Sequence, residues 1–224
     1  MISVVIPTLN AGATLGGCLA GLVRAAMDGL VREVVIADGG STDATAEIAE
    51  DAGARIVSSE RGRGVQLRAG CEAAKGPWLL ALHADTRLEA GWAEAARRHL
   101  AAHPEEAGWF RFALDDPRRI ARVWEAGVAL RSRWGGLPYG DQGLLLSKAL
   151  YETVGGYAPL PLMEDVDLVR RLGRARLRGL GARATTSAER YRRDGYWRRS
   201  ARNLGLLARY YRGADPSALA RSYD

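Results

Sequence analysis

The sequence predicts an α/β fold with a mostly parallel central sheet flanked by helices. Short apolar, β-branched runs alternate over the first 82 residues with stretches whose apolar residues have helical spacing. This alternation is typical of right-handed β-α-β units whose parallel strands are covered on both faces. The 224 residues contain no internal repeat and no low-complexity linker, so one domain over 1–224 is the simplest organisation.

The first half of the chain follows a regular strand-helix rhythm. Residues 2–6 form an apolar run that ends at Pro7, and apolar residues at i, i+3 and i+4 then predict a helix from Leu15 to about Met27. The predicted elements that follow are strand 34–37, helix 44–52, strand 54–58, helix 65–74 and strand 78–82. We expect residues 1–85 to form a nucleotide-binding half.

The rhythm changes after Asp85. The patterns predict a helix over 90–102, an alternating strand over 109–114, a helix from 118 to about 131, a strand over 143–147 and a short helix over 148–154. Further predictions are a helix over 163–174, short strands at 177–180 and 183–186, and a helical stripe over 196–211. The turn-rich, aromatic segment 134–143 is expected to be a loop over a site.

Composition indicates an ordinary soluble protein, with 47% hydrophobic and 26% charged residues. No run reaches the eighteen or so apolar residues of a membrane-spanning helix, and the N-terminal sequence lacks the pattern of a signal peptide. We therefore expect a cytoplasmic location. Cys18 and Cys71 lack metal-type spacing and are interpreted as buried thiols.

Positive charge is concentrated at the C-terminal end. Residues 1–169 contain 17 Arg and Lys against 22 Asp and Glu, whereas residues 170–224 contain 15 Arg against 4 acids. Such a basic face attracts phosphates, nucleic acid or an anionic membrane surface. Arginine supplies 30 of the 32 basic residues, which is also typical of a GC-rich genome.

The segment V-V-I-A-D-G-G-S-T-D at 34–43 indicates a buried strand that ends at Asp38 and leads into a helix. In open α/β sheets the carboxyl edge is where ligands bind. Gly39 and Gly40 allow a ligand to approach the backbone, and Ser41 or Thr42 can cap the helix. A plain β-to-α turn is the alternative for this segment.

Asp85 follows the strand in L-L-A-L-H-A-D-T, so it is expected near Asp38 at the same edge. A carboxylate beside a phosphate is commonly a ligand of a divalent cation, and His83 lies on the same side of the strand. A surface Asp that caps a helix is the alternative. Residues 60–70 alternate arginine and glycine at a strand-to-helix junction, which suits either an anion or a solvated turn.

A second acidic pair, Glu164 and Asp165, opens a predicted helix. The helix dipole favours acids in the first turn whatever their function. The preceding P-L-P-L at 159–162 nevertheless predicts an extended approach that directs the pair toward the G-D-Q loop at 140–142. Asp165 is the better candidate for a catalytic base.

Taken together, six motifs resemble those of family 2 glycosyltransferases with the GT-A fold. The motifs are P-T-L-N at 7–10, A-D-G-G-S-T-D at 37–43, R-G-R-G-V-Q at 61–66, H-A-D-T at 83–86, G-D-Q-G at 140–143 and E-D at 164–165. The match covers about residues 2–195, and the motifs occur in the family's order. The chain is most similar to short soluble members of the arsenosugar-type biosynthetic group.

The resemblance implies inverting transfer of a sugar from a nucleotide diphosphate sugar, most commonly a UDP-sugar. It implies that residues 86–195 form the acceptor-side half and that 196–224 form a basic C-terminal helix. Asp165 would be the general base with Glu164 beside it, and Asp85 would bind Mg²⁺ or Mn²⁺. The nucleotide-sugar would contact Pro7, Thr8, Asn10, Asp38, Gly39, Arg63, His83, Ala84 and Asp85, and the acceptor and donor sugar would contact Trp134, Asp141 and Gln142.

Two departures from the family pattern concern the metal. His83 replaces the first acid of the family's D-x-D, so metal binding would depend mainly on Asp85. No His follows residue 103, and Arg190 or Arg193 would neutralise the diphosphate instead.

Two other functions fit parts of the sequence. A sugar nucleotidyltransferase would share the strand-helix start but needs a Lys near the first strand, and residues 7–12 contain none. A basic adaptor would bind nucleic acid or anionic lipid through residues 170–224. In the main interpretation we expect no specific nucleic acid, but we do expect peripheral contact with an anionic membrane. The acceptor and the oligomeric state are left open.

Overall fold

One mixed sheet runs through the molecule. The computed structural model describes residues 1–222, apart from the side chain of Trp134. The strands are β1 (Ile2–Thr8), β2 (Val31–Asp38), β3 (Arg55–Ser58), β4 (Trp78–Ala81), β5 (Thr86–Leu88), β6 (Ala107–Leu114), β7 (Leu144–Ser147) and β8 (Leu177–Thr186). Across the sheet they lie in the order β3-β2-β1-β4-β7-β6-β8-β5.

Helices cover both faces of this sheet. Those of the described residues are α1 (Gly12–Ala20), α2 (Val23–Met27), α3 (Thr45–Asp51), α4 (Arg63–Ala73), α5 (Trp92–Ala102), α6 (Arg119–Gly135), α7 (Lys148–Thr153), α8 (Glu164–Leu172), α9 (Glu189–Asp194), α10 (Tyr196–Tyr211) and α11 (Pro216–Arg221). A 3₁₀ turn occupies Gly140–Gln142. Within residues 1–222, no helix combines the length and apolar character needed to cross a bilayer.

The parallel half of the sheet explains its β-branched sequence. Strand β1 pairs in parallel with β2 and β4, and β2 pairs in parallel with β3. Successive side chains of a strand point to opposite faces. Val4 therefore lies in one apolar cluster with Leu15 of α1, and Val5 lies in the other with Leu67 of α4. Both faces are buried, so nearly every strand position favours an apolar residue.

The second half of the sheet mixes strand directions. Strand β7 is antiparallel to β4 and β6, β6 is parallel to β8, and β5 is antiparallel to β8. Strands β4, β6 and β8 therefore end at the edge where β5 and β7 begin. The segments 82–85, 136–143 and 187–188 meet there, and Asp38 ends its strand at the same edge. This topology collects the predicted site residues from distant parts of the chain.

Helix α4 lies unusually close to the sheet at Gly70. A Cβ atom at that position would lie 2.5 Å from Val5 Cγ1 and 3.2 Å from Ala37 Cβ. A larger residue would push the helix away from the strands. The glycine thus sets the height at which Arg63, the first residue of α4, stands over the carboxyl edge.

Several predicted elements differ from the structure. The helix predicted over 15–27 is two helices, separated at Gly21, whose carbonyl accepts a hydrogen bond from Trp92 Nε1 (3.1 Å). The strands predicted at 177–180 and 183–186 are one strand, β8, whose pairing with β6 shifts register between Trp109 and Arg111. Helix α6 extends to Gly135, into the predicted loop over 134–143. The basic C-terminal helix implied over 196–224 is two helices, α10 and α11, because the chain turns at Gly213, which has a positive φ of 88°, and α11 restarts at Pro216. Strand β5 and helix α9 were not predicted.

Candidate active site

Asp38 lies at the end of β2 with both carboxylate oxygens occupied. Its Oδ1 accepts hydrogen bonds from Thr8 Oγ1 (2.8 Å) and Ser41 Oγ (2.5 Å). Its Oδ2 accepts from the amides of Gly40 (3.0 Å) and Ser41 (2.8 Å). Burial alone would raise the pKa of Asp38, but these hydrogen bonds hold it below its usual value. Asp38 thus organises the loop that follows its strand.

The P-T-L-N segment is joined to the same loop. Asn10 has a positive φ of 51°, its amide donates to Ser41 Oγ (2.9 Å), and its Oδ1 accepts from the Thr42 amide (2.9 Å). Pro7 and Thr8 end β1 beside β2, and the Gly39 amide donates to the Thr8 carbonyl (3.0 Å). The structure brings these predicted nucleotide-binding residues together.

Gln66 is a site residue that the sequence did not single out. The side chain is buried, and its Nε2 donates to the carbonyls of Thr8 (2.6 Å) and Ala37 (2.9 Å). A Cβ atom on Gly39 would lie 3.1 Å from the Gln66 amide group. Gln66 therefore holds the ends of β1 and β2 in register, and only its place in R-G-R-G-V-Q could have suggested this.

Asp85 precedes β5 and is half-buried. Its Oδ1 accepts from the hydroxyls of Thr186 (3.2 Å) and Thr86 (3.4 Å), which also bond to each other (3.1 Å). Among residues 1–222, no hydrogen bond reaches its Oδ2. The carboxylate is thus oriented from one side and open on the other.

Asp165 and His83 meet at Gly140. Asp165 stands in the first turn of α8, where its Oδ2 accepts from the Gly140 amide (2.7 Å) and its Oδ1 from the Val166 amide (2.7 Å). A Cβ atom on Gly140 would lie 2.6 Å from His83 Nε2 and 3.3 Å from Asp165 Oδ2. Burial and the charge of Arg63 lower the pKa of His83 to about 4, so its ring is neutral.

Glu164, beside the proposed base, is a buried acid with 1% of its surface exposed. Neither carboxylate oxygen has a hydrogen-bond partner among the described residues, although Arg63 Nε lies 3.6 Å from Oε1. Burial outweighs this ion pair and raises the pKa of Glu164 to about 7. The ion pair joins α4 to α8, and the Gly64 amide joins α4 to the segment before α8 by donating to the Leu160 carbonyl (3.1 Å).

The G-D-Q turn contributes two side chains with different environments. Gln142 is fully buried, and it accepts from Ser132 Oγ (2.8 Å) and donates to the Phe110 carbonyl (3.1 Å), so its side chain holds the turn on β6. Asp141 Oδ1 is buried without a partner in the described part of the chain. Burial, only partly offset by Arg131, raises the pKa of Asp141 to about 6.

The predicted arginines separate into two groups. The charges of Arg63 and Arg190 both lower the pKa of His83, so both arginines lie near this ring. Arg193 is exposed and pairs with the adjacent Asp194, with Nε 2.7 Å from Oδ1. Trp134 lies in the last turn of α6, and its side chain is outside the described residues.

Four acids therefore lie near one another at this edge of the sheet. We refer to them as the acidic cluster: Asp85, Asp141, Glu164 and Asp165. Asp85 and Asp165 both raise the pKa of Asp141, and Asp165 raises that of Glu164. Asp38 lies at the same edge but two strands from β4, about 10 Å away at the usual strand spacing. The structure thus brings Asp85 and Asp165 together and places Asp38 beside them at the same edge.

The acidic cluster offers carboxylate oxygens of the kind that a divalent cation takes as ligands. No group of three or more His, Cys, Asp or Glu side chains with metal-ligand geometry occurs among the described residues, so the protein alone does not complete a coordination shell. Asp85 Oδ2 is open, and partnerless oxygens of Asp141 and Glu164 lie in the same cluster. Hard carboxylate oxygens suit Mg²⁺ or Mn²⁺, and a bound diphosphate would supply the remaining ligands.

The fold, with its mixed α/β sheet and acids at the carboxyl edge, is of the GT-A class. Residues 3–160 match glycosyl transferase family 2, and the chain belongs to that family. The narrower resemblance to arsenosugar-type members stays a prediction.

Curated relatives are similar over part of their length. A PGL/p-HBAD biosynthesis glycosyltransferase of Mycobacterium bovis is 38% identical over 95 residues, which are 39% of this chain and 36% of that protein. Lipopolysaccharide core biosynthesis glycosyltransferase LpsC of Rhizobium meliloti is 37% identical over 114 residues, 48% of this chain and 40% of the relative. The matched part is thus less than half of either relative.

Solved structures share the fold over most of the chain. Glucosyl-3-phosphoglycerate synthase from Mycobacterium tuberculosis, in complex with Mn²⁺, UDP and phosphoglyceric acid, has a TM-score of 0.61 and 25% identity, covering 83% of this chain and 70% of that one. Mannosyl-3-phosphoglycerate synthase from Rubrobacter xylanophilus has a TM-score of 0.64 and 18% identity, covering 95% and 75%.

Proposed function

We propose that the protein is an inverting glycosyltransferase that moves a sugar from a nucleotide diphosphate sugar to an acceptor hydroxyl. The observation that carries this proposal is the acidic cluster, in which Asp165 and Asp85 lie together at the carboxyl edge beside Arg63. Membership of glycosyl transferase family 2 supports it. The solved structure with UDP and Mn²⁺ supports a UDP-sugar as donor.

In this proposal the donor nucleotide lies along the ends of β1 and β2. Thr8, Asn10 and Asp38 form a pre-organised loop there, together with Gly39. Arg63 stands at the start of α4, where a guanidinium and helix-start amides both donate to oxygen. The diphosphate would then lie between this loop and the acidic cluster, within reach of Arg190.

The proposed reaction assigns the proton to Asp165. Its carboxylate accepts the proton of the acceptor hydroxyl as that oxygen forms a bond to the anomeric carbon. The bond from the anomeric carbon to the diphosphate oxygen breaks with its electron pair, and the nucleoside diphosphate leaves. The Gly140 and Val166 amides fix the orientation of the carboxylate, and a general base needs such positioning.

Asp85 is the proposed ligand of Mg²⁺ or Mn²⁺, with Asp141 close to it. A bound divalent cation would neutralise the charge that develops on the departing diphosphate. The hydroxyls of Thr86 and Thr186 hold Asp85 Oδ1 and leave Oδ2 directed away from them. His83 is neutral and adds no competing charge.

The acceptor is proposed to be lipid-linked. The relative LpsC takes part in lipopolysaccharide core biosynthesis, and the basic C-terminal part of this chain favours contact with an anionic membrane. Acceptor contacts are proposed for Trp134, Asp141 and Gln142.

A thermal-shift panel of UDP-, GDP- and TDP-sugars with and without Mn²⁺ tests the donor and the metal together. A ligand that binds only the native state raises Tm by mass action. We expect a UDP-sugar with Mn²⁺ to give the largest rise and Asp85→Asn to abolish the contribution of Mn²⁺. Exposed Glu94, changed to Gln, is the matched control. Absence of a shift with every nucleotide, together with salt-sensitive DNA binding, would instead favour the basic adaptor.

A further inference from the structure

Two helices carry exposed apolar side chains at a spacing of seven residues. On α10 these are Trp197, Leu204 and Tyr211, which are 71%, 62% and 45% exposed, and on α6 they are Val123 and Leu130, at 55% and 62%. Seven residues are about two helical turns, so each set forms a line along its helix. Large apolar side chains normally occur singly on a surface, and an aligned set marks an interaction site.

Helices α6 and α10 touch near the start of α10. The ring of Trp197 lies edge-on to that of Trp124, with centroids 4.5 Å apart. Trp124 Nε1 also donates to the Tyr196 carbonyl (3.2 Å), and Val123 is the neighbour of Trp124 in α6. We name this surface the apolar strip; it consists of Val123, Leu130, Trp197, Leu204 and Tyr211.

Positive charge borders the apolar strip. Arg198, Arg209 and Arg212 are exposed. By helical geometry they are rotated roughly 60–120° about the axis of α10 from Trp197. The opposite side of α10 is buried, since Tyr196 and Leu206 pack on the body of the protein. Helix α10 therefore has one face toward the core, one apolar exposed line and one basic exposed line.

We propose that the apolar strip is a docking surface for an anionic lipid membrane. Trp and Tyr rings favour the headgroup region, and arginines beside an inserted apolar line bind lipid phosphates while their stems cover apolar surface. A second copy of the chain fits this surface less well, because a symmetric pair would place these arginines against each other. Charge complementarity thus selects lipid.

The docking surface lies close to the candidate active site. Leu206, on the buried side of α10, packs on Leu162, which precedes Glu164 and Asp165 by two and three residues. Docking would hold the acidic cluster near the headgroups. The proposal goes beyond the proposed transfer reaction and does not depend on it, because membrane binding is measured without donor or acceptor.

Flotation of the full-length protein with vesicles tests the proposal, using phosphatidylcholine alone or mixed with phosphatidylglycerol. We expect binding to the mixed vesicles, weakened by salt, and little binding to phosphatidylcholine alone. Replacing Arg198, Arg209 and Arg212 by Gln should lower the partition coefficient by about a hundredfold, at the usual contribution per arginine. Matched replacement of the exposed Arg24, Arg32 and Arg98 should lower it much less.

A separate variant tests the contribution of the apolar side chains to membrane binding. Trp197→Ser with Leu204→Ser should lower binding by at least about tenfold, because two large side chains lose their insertion. Val23→Ser with Met27→Ser removes apolar side chains that are 54% and 81% exposed on α2 and is the control. Circular dichroism and Tm establish that each variant is folded.

Three results would overturn the proposal. The first is equal binding to neutral and mixed vesicles, and the second is an equal loss in the strip variants and their controls. The third is self-association of the wild-type chain, measured by analytical ultracentrifugation, that Trp197→Ser with Leu204→Ser abolishes while vesicle binding is absent. That third result would make the strip an interface between copies.

Discussion

Two acidic regions at one sheet edge differ in how their oxygens are used. Asp38 receives four hydrogen bonds from its own loop and from Thr8, and its pKa lies below the usual value. In the acidic cluster, Asp141 and Glu164 have buried oxygens without hydrogen-bond partners in the described residues, and burial raises the pKa of each. The first region is complete within the protein, and the second is arranged for something that the protein does not supply.

We propose that the difference separates acids that stabilise the fold from acids that serve a ligand. A buried polar group without a partner destabilises the folded state by roughly 1–3 kcal/mol, and more when it is charged. A cluster of such acids is therefore retained where a cation, a substrate or a proton offsets that destabilisation. The comparison predicts opposite consequences of neutralising an acid in each region.

The largest expected effect is on catalysis. Asp165→Asn should lower the rate of sugar transfer by about a thousandfold, because general-base catalysis typically contributes 10²–10⁴-fold. Donor binding, measured by calorimetry, should change little, since an Asn can still accept from Gly140. Asp167→Asn is the control, because Asp167 pairs with Arg171 on the same helix (2.6 Å). More than a tenth of the wild-type rate in Asp165→Asn would exclude Asp165 as the base.

The parallel half of the fold could be predicted almost completely from the sequence. Its strands are short and rich in apolar residues, and stretches with helical spacing separate them, so the two periodicities can be told apart in the sequence. Strand β5 has only three residues and gains its stability from pairing with β8, about a hundred positions later. The continuity of β8 likewise depends on β6, which no local pattern in 177–186 reveals.

The residues of the candidate site could be predicted from the sequence, but the arrangement of their side chains could not. Acids at strand ends and at a helix start identified Asp38, Asp85 and Asp165. Asp38 differs from the acids of the cluster because its oxygens accept hydrogen bonds from residues that include Thr8 and Ser41. These hydrogen bonds form only in the folded loop. Gln66 and the unpartnered state of Asp141 and Glu164 are also products of packing, since a Gln or a Glu in a sequence carries no sign of its burial.

A smaller effect is expected in stability at Glu164. Its pKa is about 7 in the folded protein against an ordinary 4.5, so the folded state binds more protons between these values and stability falls as pH rises through them. The loss is about 3 kcal/mol when complete. Glu164→Gln should therefore be more stable than the wild type at pH 8 and about equal to it at pH 4, as measured by urea unfolding.

Glu94→Gln, at an exposed acid that pairs with Arg98, should leave the pH dependence unchanged. Burial also raises the pKa of Asp141, so this residue too makes stability fall as pH rises. Glu164→Gln should therefore keep part of the wild-type pH dependence of stability. An identical slope in wild type and Glu164→Gln would show that Glu164 is ionised in the folded state and that Arg63 offsets its burial.

The smallest effect, with the opposite sign, is expected at Asp38. In Asp38→Asn, the retained oxygen can still accept from the Gly40 and Ser41 amides, and the new amide group can donate to the Thr8 and Ser41 hydroxyls once they rotate. All four charge-assisted hydrogen bonds become neutral, and because Asp38 is only partly buried the free energy of unfolding at pH 7 should fall by about 1 kcal/mol. The lowered pKa of Asp38 means that its stabilising contribution is lost as pH decreases, so the variant and the wild type should converge in acid. If neutralising Asp38 instead raised stability at pH 7, as expected for Glu164, both regions would be ligand-directed and Asp38 would belong functionally to the acidic cluster.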